Sequence, residues 1–252
     1  MSLNIVIPMA GEGRRFVQAG YDMPKPLIPI QGTPMIRCVI ENLRPARPHR
    51  FIVICQRAHV RAHRLDEKLA QWAPGCVLVE VDGTTQGAAC TVLAAKHLID
   101  GDEPLMIANS DQLIDVPIDD YLAAGDARQL QGLLMTMRAH DPKWSFARLG
   151  EANLVEEVAE KRPISDEATV GIYNFAHGGD FVRAALAMIE RDLRVNGEFY
   201  VAPVYNELIA QGHRIGVHNV GTEGAGMHGL GTPDDLERFL ALLPSRKGIR
   251  VA

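Results

Sequence analysis

Cysteine is scarce in this 252-residue chain, and Cys38, Cys55, Cys76 and Cys90 form no CxxC unit. Neither a zinc ribbon nor a thioredoxin-type redox motif can be drawn from them. Set among apolar neighbours, they read as small buried hydrophobes of a protein kept in a reducing, cytoplasmic compartment. Long apolar runs are missing too: none approaches the roughly 20 residues that cross a bilayer. The opening Met1-Ser2-Leu3-Asn4 lacks the basic start of a secretory signal. A cytoplasmic protein with no membrane partner is therefore expected. Positive charge is not in excess, since 26 Lys+Arg face 31 Asp+Glu for a net charge of −5. That balance argues against a protein that coats nucleic acid, while leaving room for a locally positive pocket for a phosphorylated ligand. Repeats, low-complexity tracts and long Ser/Pro linkers are absent.

What is present is an ordinary globular composition, 47% apolar and 23% charged. Its first half alternates strand and helix. Residues 3–9 (LNIVIPM), 51–54, 77–79 and 105–108 read as buried strands; residues 34–43, 59–72 and 87–99 read as helices. Such alternation favours a parallel sheet with helices on both faces. The second half reads as strands over 132–138, 145–149, 154–160 and 169–175, then helices over 180–191, 202–210 and 233–243. The expected fold class is α/β: one Rossmann-like mixed sheet with a small antiparallel appendage. A single domain, 1–244, is expected, with a 1–115 half and a 116–244 half, and a basic tail at 245–252.

Ala10-Gly11-Glu12-Gly13-Arg14-Arg15-Phe16 follows the first strand. Two glycines let backbone N–H groups approach phosphate oxygens. Phe16 stands where GxGxxG needs its third glycine, and no GK[ST] follows, so neither a dinucleotide fingerprint nor a P-loop is present. In Met23-Pro24-Lys25-Pro26-Leu27-Ile28-Pro29-Ile30, two prolines fix an extended mount around one lysine, suited to meeting an anion. Thr84-Thr85-Gln86-Gly87-Ala88-Ala89 is small enough for a flat ring to lie against, and Gln86 offers a donor and an acceptor to a base edge. Asn109-Ser110-Asp111 ends an apolar strand, where ligands of open α/β sheets collect and where a carboxylate can hold Mg²⁺ between phosphates. Asp115 gives D-x-x-x-D spacing instead of the DxD of metal-dependent glycosyltransferases, and reads as a turn or cap residue.

Taken together, GEGRR, PKPLIPI and GTPMI resemble the opening of the sugar-phosphate nucleotidyltransferases, with GxGxRL, PKPLxPV and GxPMI. That resemblance implies nucleotide binding by Ala10, Gly11, Gly13, Arg15, Lys25, Gln86 and Gly87, and metal binding by Asp111. Arg15, Lys25 and Asp111 would carry catalysis. Asp141-Pro142-Lys143-Trp144-Ser145 and the following Glu160-Lys161 resemble the family's acceptor side, as do Gly171-Ile172-Tyr173 and Asn196-Gly197-Glu198-Phe199-Tyr200. They imply an acceptor site with Lys161 on the acceptor phosphate, Gly171 and Glu198. Met227-His228-Gly229-Leu230-Gly231-Thr232-Pro233 resembles the family's W-x-D-x-GTP segment, but the second metal carboxylate falls on Gly229, which cannot ligate. His228, Glu198 or water could take that place.

The implied reaction is nucleotidyl transfer from an NTP to a sugar 1-phosphate or similar phosphate, for surface polysaccharide or nucleotide-sugar biosynthesis. A phosphomonoester is largely dianionic at neutral pH, with a second pKa of about 6, so no general base is required. Positioning and charge neutralisation by Arg15, Lys25, Lys161 and Mg²⁺ would carry the rate. A cytidylyltransferase for a phosphocholine- or phosphoglutamine-like acceptor is one alternative, and a catalytically inactive nucleotide-sensing subunit is another. The base, the acceptor and the oligomeric state, a homo-oligomer included, stay open.

Overall fold

The computed structural model describes residues 1–243, so the expected tail at 245–252 lies outside the described residues. Thirteen strands are described: β1 Leu3–Met9, β2 Pro29–Ile30, β3 Thr33–Pro34, β4 His49–Gln56, β5 Val77–Val81, β6 Leu105–Ala108, β7 Gln112–Ile114, β8 Gly132–Arg138, β9 Ser145–Leu149, β10 Val155–Glu160, β11 Glu167–Phe175, β12 Ile215–Glu223 and β13 Gly226–Gly229. Ten helices accompany them: α1 Arg14–Gln18, α2 Met35–Asn42, α3 Arg57–His63, α4 Leu65–Trp72, α5 Ala88–Leu93, α6 Lys96–Ile99, α7 Ile118–Ala127, α8 Gly178–Glu190, α9 Tyr205–Ala210 and α10 Pro233–Leu242.

Eleven strands form one sheet, whose main path runs β5-β4-β1-β6-β11-β8-β12-β13-β7. β5, β4, β1 and β6 are mutually parallel, and β11 turns antiparallel against β6. Alternation along β1 shows why helices cover both faces. Ile5, Ile7 and Met9 join one core with Phe16, Val39 and Phe239, while Val6 joins the other with Val92, Phe181 and Phe199. Successive strand side chains point to opposite faces, so a run apolar at nearly every position must be buried on both sides.

The expected single mixed sheet is found, and its appendage is the β9–β10 arm, joined to β11 through Phe146 and Ala168. Two expected helices are broken. The 59–72 helix ends at Arg64, whose φ of 51° is left-handed, and the 87–99 helix breaks between Leu93 and Lys96. α1, α7, β7, β12 and β13 are not anticipated: the two helices are short or weakly periodic, and the three strands are defined by pairing across the sheet instead of by local pattern. The sheet brings β7, from the first half of the sequence, onto β13 near the chain's end.

Candidate active site

The carboxyl ends of β1 and β6 lie side by side, which sets the 10–13 loop beside Asn109-Ser110-Asp111. Gln56, at the end of neighbouring β4, holds the loop by donating from Nε2 to the Ala10 carbonyl at 2.7 Å. Gly13 has φ 63°, and a Cβ there would lie 3.1 Å from the Lys25 Cβ, so the loop packs directly on the lysine's mount. Lys25 opens a short 3₁₀ turn, Lys25–Leu27, anchored by buried Pro26 and Leu27. Its ammonium donates to Asp111 Oδ2 at 2.7 Å, both side chains being about one-fifth exposed. Gly11, Gly13, Lys25, Asn109 and Asp111 together line a cavity of about 170 Å³.

This cavity stands between two larger ones, and Ala88 lines all three. On one side, Ala10, Gly11, Gly13, Arg14, Thr84, Thr85, Gly87 and Glu198 surround about 400 Å³. Gly87 is fixed by contact: its φ is 124°, and a Cβ would come 2.4 Å from the Phe199 carbonyl oxygen. Phe199 N–H donates to the Gln86 carbonyl at 2.8 Å, and Ala89 N–H donates to the Phe199 carbonyl at 3.0 Å. The Asn196-Gly197 pair, φ 49° and 81°, makes the tight turn that brings Phe199 there, with Val195 and Glu198 exchanging backbone bonds. Gln86, expected at the base, instead accepts from Arg194 at 2.9 Å and is not among the residues lining these cavities. Glu198, expected at the acceptor, lies on the loop side.

On the other side is a cleft of about 490 Å³, lined by Arg15, Asp111, Gln112, Trp144, Glu160, Lys161, Gly171, Tyr200 and Arg238 among others. Arg15, expected on the nucleotide, is on this side, and its neighbour Arg14 faces the loop cavity. Lys161 has φ 54°, unusual for a residue with a Cβ, and its ammonium donates to the Tyr200 hydroxyl at 2.6 Å. Burial raises the Tyr200 pKa, with Lys161 opposing. Burial also raises the Glu160 carboxyl above its usual range, while a hydrogen bond from the Ser145 hydroxyl works the other way. Glu160 and Tyr200 were not singled out from the sequence, although each adjoins a residue that was.

Asp111 also faces Gly231, where a Cβ would sit 3.2 Å from Oδ2 and 3.9 Å from Asp235 Oδ2. The bare glycine leaves a hollow between two carboxylates, and oxygen donors of this kind suit Mg²⁺. No group of three or more His, Cys, Asp or Glu side chains with metal-holding geometry occurs among the described residues. Asp115, read as a turn or cap, binds the Gly226 N–H and meets His228 Nε2, both through its carboxylate, at 2.9 and 2.8 Å. His228 is thus a buried partner of Asp115, in contact with Phe239, and does not line the Asp111 cleft. Gly229 does line that cleft, and a Cβ there would meet only ordinary contacts near 4 Å. Burial pushes the Cys38 and Cys76 thiols up to about 11, in keeping with unreactive cysteines.

Known proteins share this architecture. A nucleoside-diphosphate-sugar pyrophosphorylase from Vibrio cholerae RC9 is 28% identical with a TM-score of 0.80, over 94% of this chain and 99% of that one. The inositol-1-phosphate CTP transferase from T. maritima, at 16% identity and a TM-score of 0.74, shares the fold, over 100% of this chain and 97% of its own. By sequence, the bifunctional protein GlmU of Aromatoleum aromaticum is 30% identical over 83% of this chain and 45% of its own length. The chain therefore spans a little under half the length of the curated relatives it matches. Residues 5–198 match the family model described as nucleotidyl transferase. With the glycine loop, Lys25 and the strand-end Asp111 gathered at one sheet edge, and with the family model matched over residues 5–198, the chain belongs to the nucleotidyl transferase family.

Proposed function

We propose that the protein joins a nucleoside triphosphate to a phosphorylated small molecule and releases pyrophosphate. The observation that carries this reading is the Lys25–Asp111 pair standing between two cavities, one walled by the glycine loop and one by Lys161, Lys143 and Arg238. A phosphate oxygen of the acceptor forms the new bond to the α-phosphorus. The bond from that phosphorus to the bridging oxygen breaks, and pyrophosphate departs with the electron pair. Lys25 and Arg14 neutralise the triphosphate, Lys161 holds the acceptor phosphate, and Arg15 stands on the acceptor side of the junction. The base would lie in the 400 Å³ cavity beside Thr84, Thr85 and Ala88, where the Gly87 backbone, held on Phe199, forms part of the wall. Asp111, in the hollow that Gly231 leaves, is the residue to hold Mg²⁺, which would supply charge neutralisation at the phosphate oxygens. The Vibrio cholerae relative's name supports a sugar 1-phosphate acceptor and a place in nucleotide-sugar biosynthesis.

Gly229 favours a second reading, a subunit that senses nucleotide without turning it over. Pyrophosphate release decides between them, using CTP, UTP, dTTP, GTP and ATP against a panel of sugar 1-phosphates, phosphocholine and phosphoglutamine with Mg²⁺. Release with one pair is expected. Tight NTP binding without release from any pair would replace the enzyme by the sensor.

A further inference from the structure

We infer that the Gln112 carboxamide sets acceptor specificity, taking a hydrogen bond from a neutral O–H or N–H donor on the body of the acceptor. The inference rests on the transferase reading above and narrows its substrate class to hydroxyl- or amide-bearing phosphates, against quaternary ammonium phosphates. Gln112 is 7% exposed, lines the 490 Å³ cleft, and its buried Oε1 has no hydrogen-bond partner. Buried carbonyl acceptors are nearly always paired, so an orphan on a residue that lines a ligand cleft marks a place kept for the ligand.

Its direction is fixed by Gly171. A Cβ on that glycine would lie 2.2 Å from Gln112 Oε1 and 2.3 Å from Asn109 Nδ2, so an acceptor and a donor converge over bare backbone. The left-handed φ of 79° at Gly171, together with its carbonyl bond from Asn109 N–H at 2.9 Å, holds that floor in place. The nearby hydroxyls are already engaged, Ser145 with Glu160 and Thr169 with Tyr173. Gln112 also sits directly across the sheet from Gly229, which has no side chain to cover it. A trimethylammonium head has no N–H to give and would leave Oε1 unpaired. Sites built to bond a substrate hydroxyl or amine reject analogues that lack it.

The test measures acceptor kcat/KM for glucose 1-phosphate, N-acetylglucosamine 1-phosphate, phosphoglutamine and phosphocholine, in wild type and in Gln112→Met, with NTP binding followed by calorimetry. Wild type should prefer one of the first three over phosphocholine by about a hundredfold or more. Gln112→Met should raise that acceptor's KM about tenfold or more, leave NTP affinity unchanged and narrow the preference. Phosphocholine as the best wild-type acceptor would overturn the inference while leaving the transferase intact; so would an unmoved KM in a variant that binds NTP normally. Should Gln112→Met not fold, the wild-type preference alone decides. Pyrophosphate release with none of these four, nor with any other acceptor of the wider sugar 1-phosphate panel, would sink the transferase reading and this inference with it.

Discussion

At the scale of single residues, three side chains separate the roles. Asp111→Asn should keep its melting temperature and lose at least about a hundredfold in turnover, the loss expected for a key electrostatic group. Near-normal turnover in a folded variant would remove Asp111 from the metal role. Lys25→Ala should slow every acceptor, whereas Lys161→Ala should chiefly raise the acceptor's KM. Weaker NTP binding by Lys161→Ala in the absence of acceptor would reverse that division. Glu160 makes a pH prediction. Burial raises its folded pKa above the ordinary 4.5, so the charged form is disfavoured in the native state near neutrality. Protonation relieves this, and the relief is complete below the unfolded pKa and lost as pH rises through the folded one. Glu160→Gln should therefore melt higher than wild type at pH 7, with the gain shrinking as pH falls and absent below about 4.5; thermal melts across pH check it.

At the scale of elements, glycine is structural at one end of the 400 Å³ cavity's wall and permissive at the other. Gly87→Ala must force a Cβ against the Phe199 backbone at a φ of 124°, and should cost about 2 kcal/mol or more of stability by denaturant melts. Gly11 has no neighbour within 4 Å of its missing Cβ, so Gly11→Ala should leave stability within about 0.5 kcal/mol and act, if at all, on nucleotide affinity. The sequence announces Gly11 and Gly87 alike as ligand glycines, and the contact with Phe199 is what tells them apart. Legibility in the sequence followed the same line. β1 and β6 are nearly continuous apolar runs and α8 has a helical period, so all three are readable within a few residues. β7, β12 and β13 are not, because β7 is only three residues long and β12 and β13 are broken by glycines, so all three acquire meaning only from their neighbours. Motif and strand-end position single out Lys25 and Asp111 in the sequence, and the fold brings the two together. The Gln86 bond to Arg194 and the burial of Glu160 beside Ser145 are not legible, because each joins segments distant in sequence.

At the scale of the whole molecule, the two carboxylates across the Gly231 hollow are already engaged, Asp111 by Lys25 and Asp235 by Arg238, so they offer a metal few free ligands. Mg²⁺ or Mn²⁺ should therefore bind weakly to the free protein and much more tightly with an NTP present, whose oxygens supply most of the shell. Calorimetric titration with and without NTP checks this, and tight binding to the free protein that disappears in His228→Ala would overturn it. The three residues 198–200 have a wider consequence. Glu198 belongs to one cavity, Tyr200 to the other, and Phe199 between them is clamped across Gly87 by two backbone hydrogen bonds. One short strap is thus a wall of both chambers, and neither chamber can reshape it alone. A change in this strap made by a ligand on one side is therefore felt on the other, and by reciprocity any factor by which one ligand alters the other's affinity is returned in equal measure, whichever arrives first.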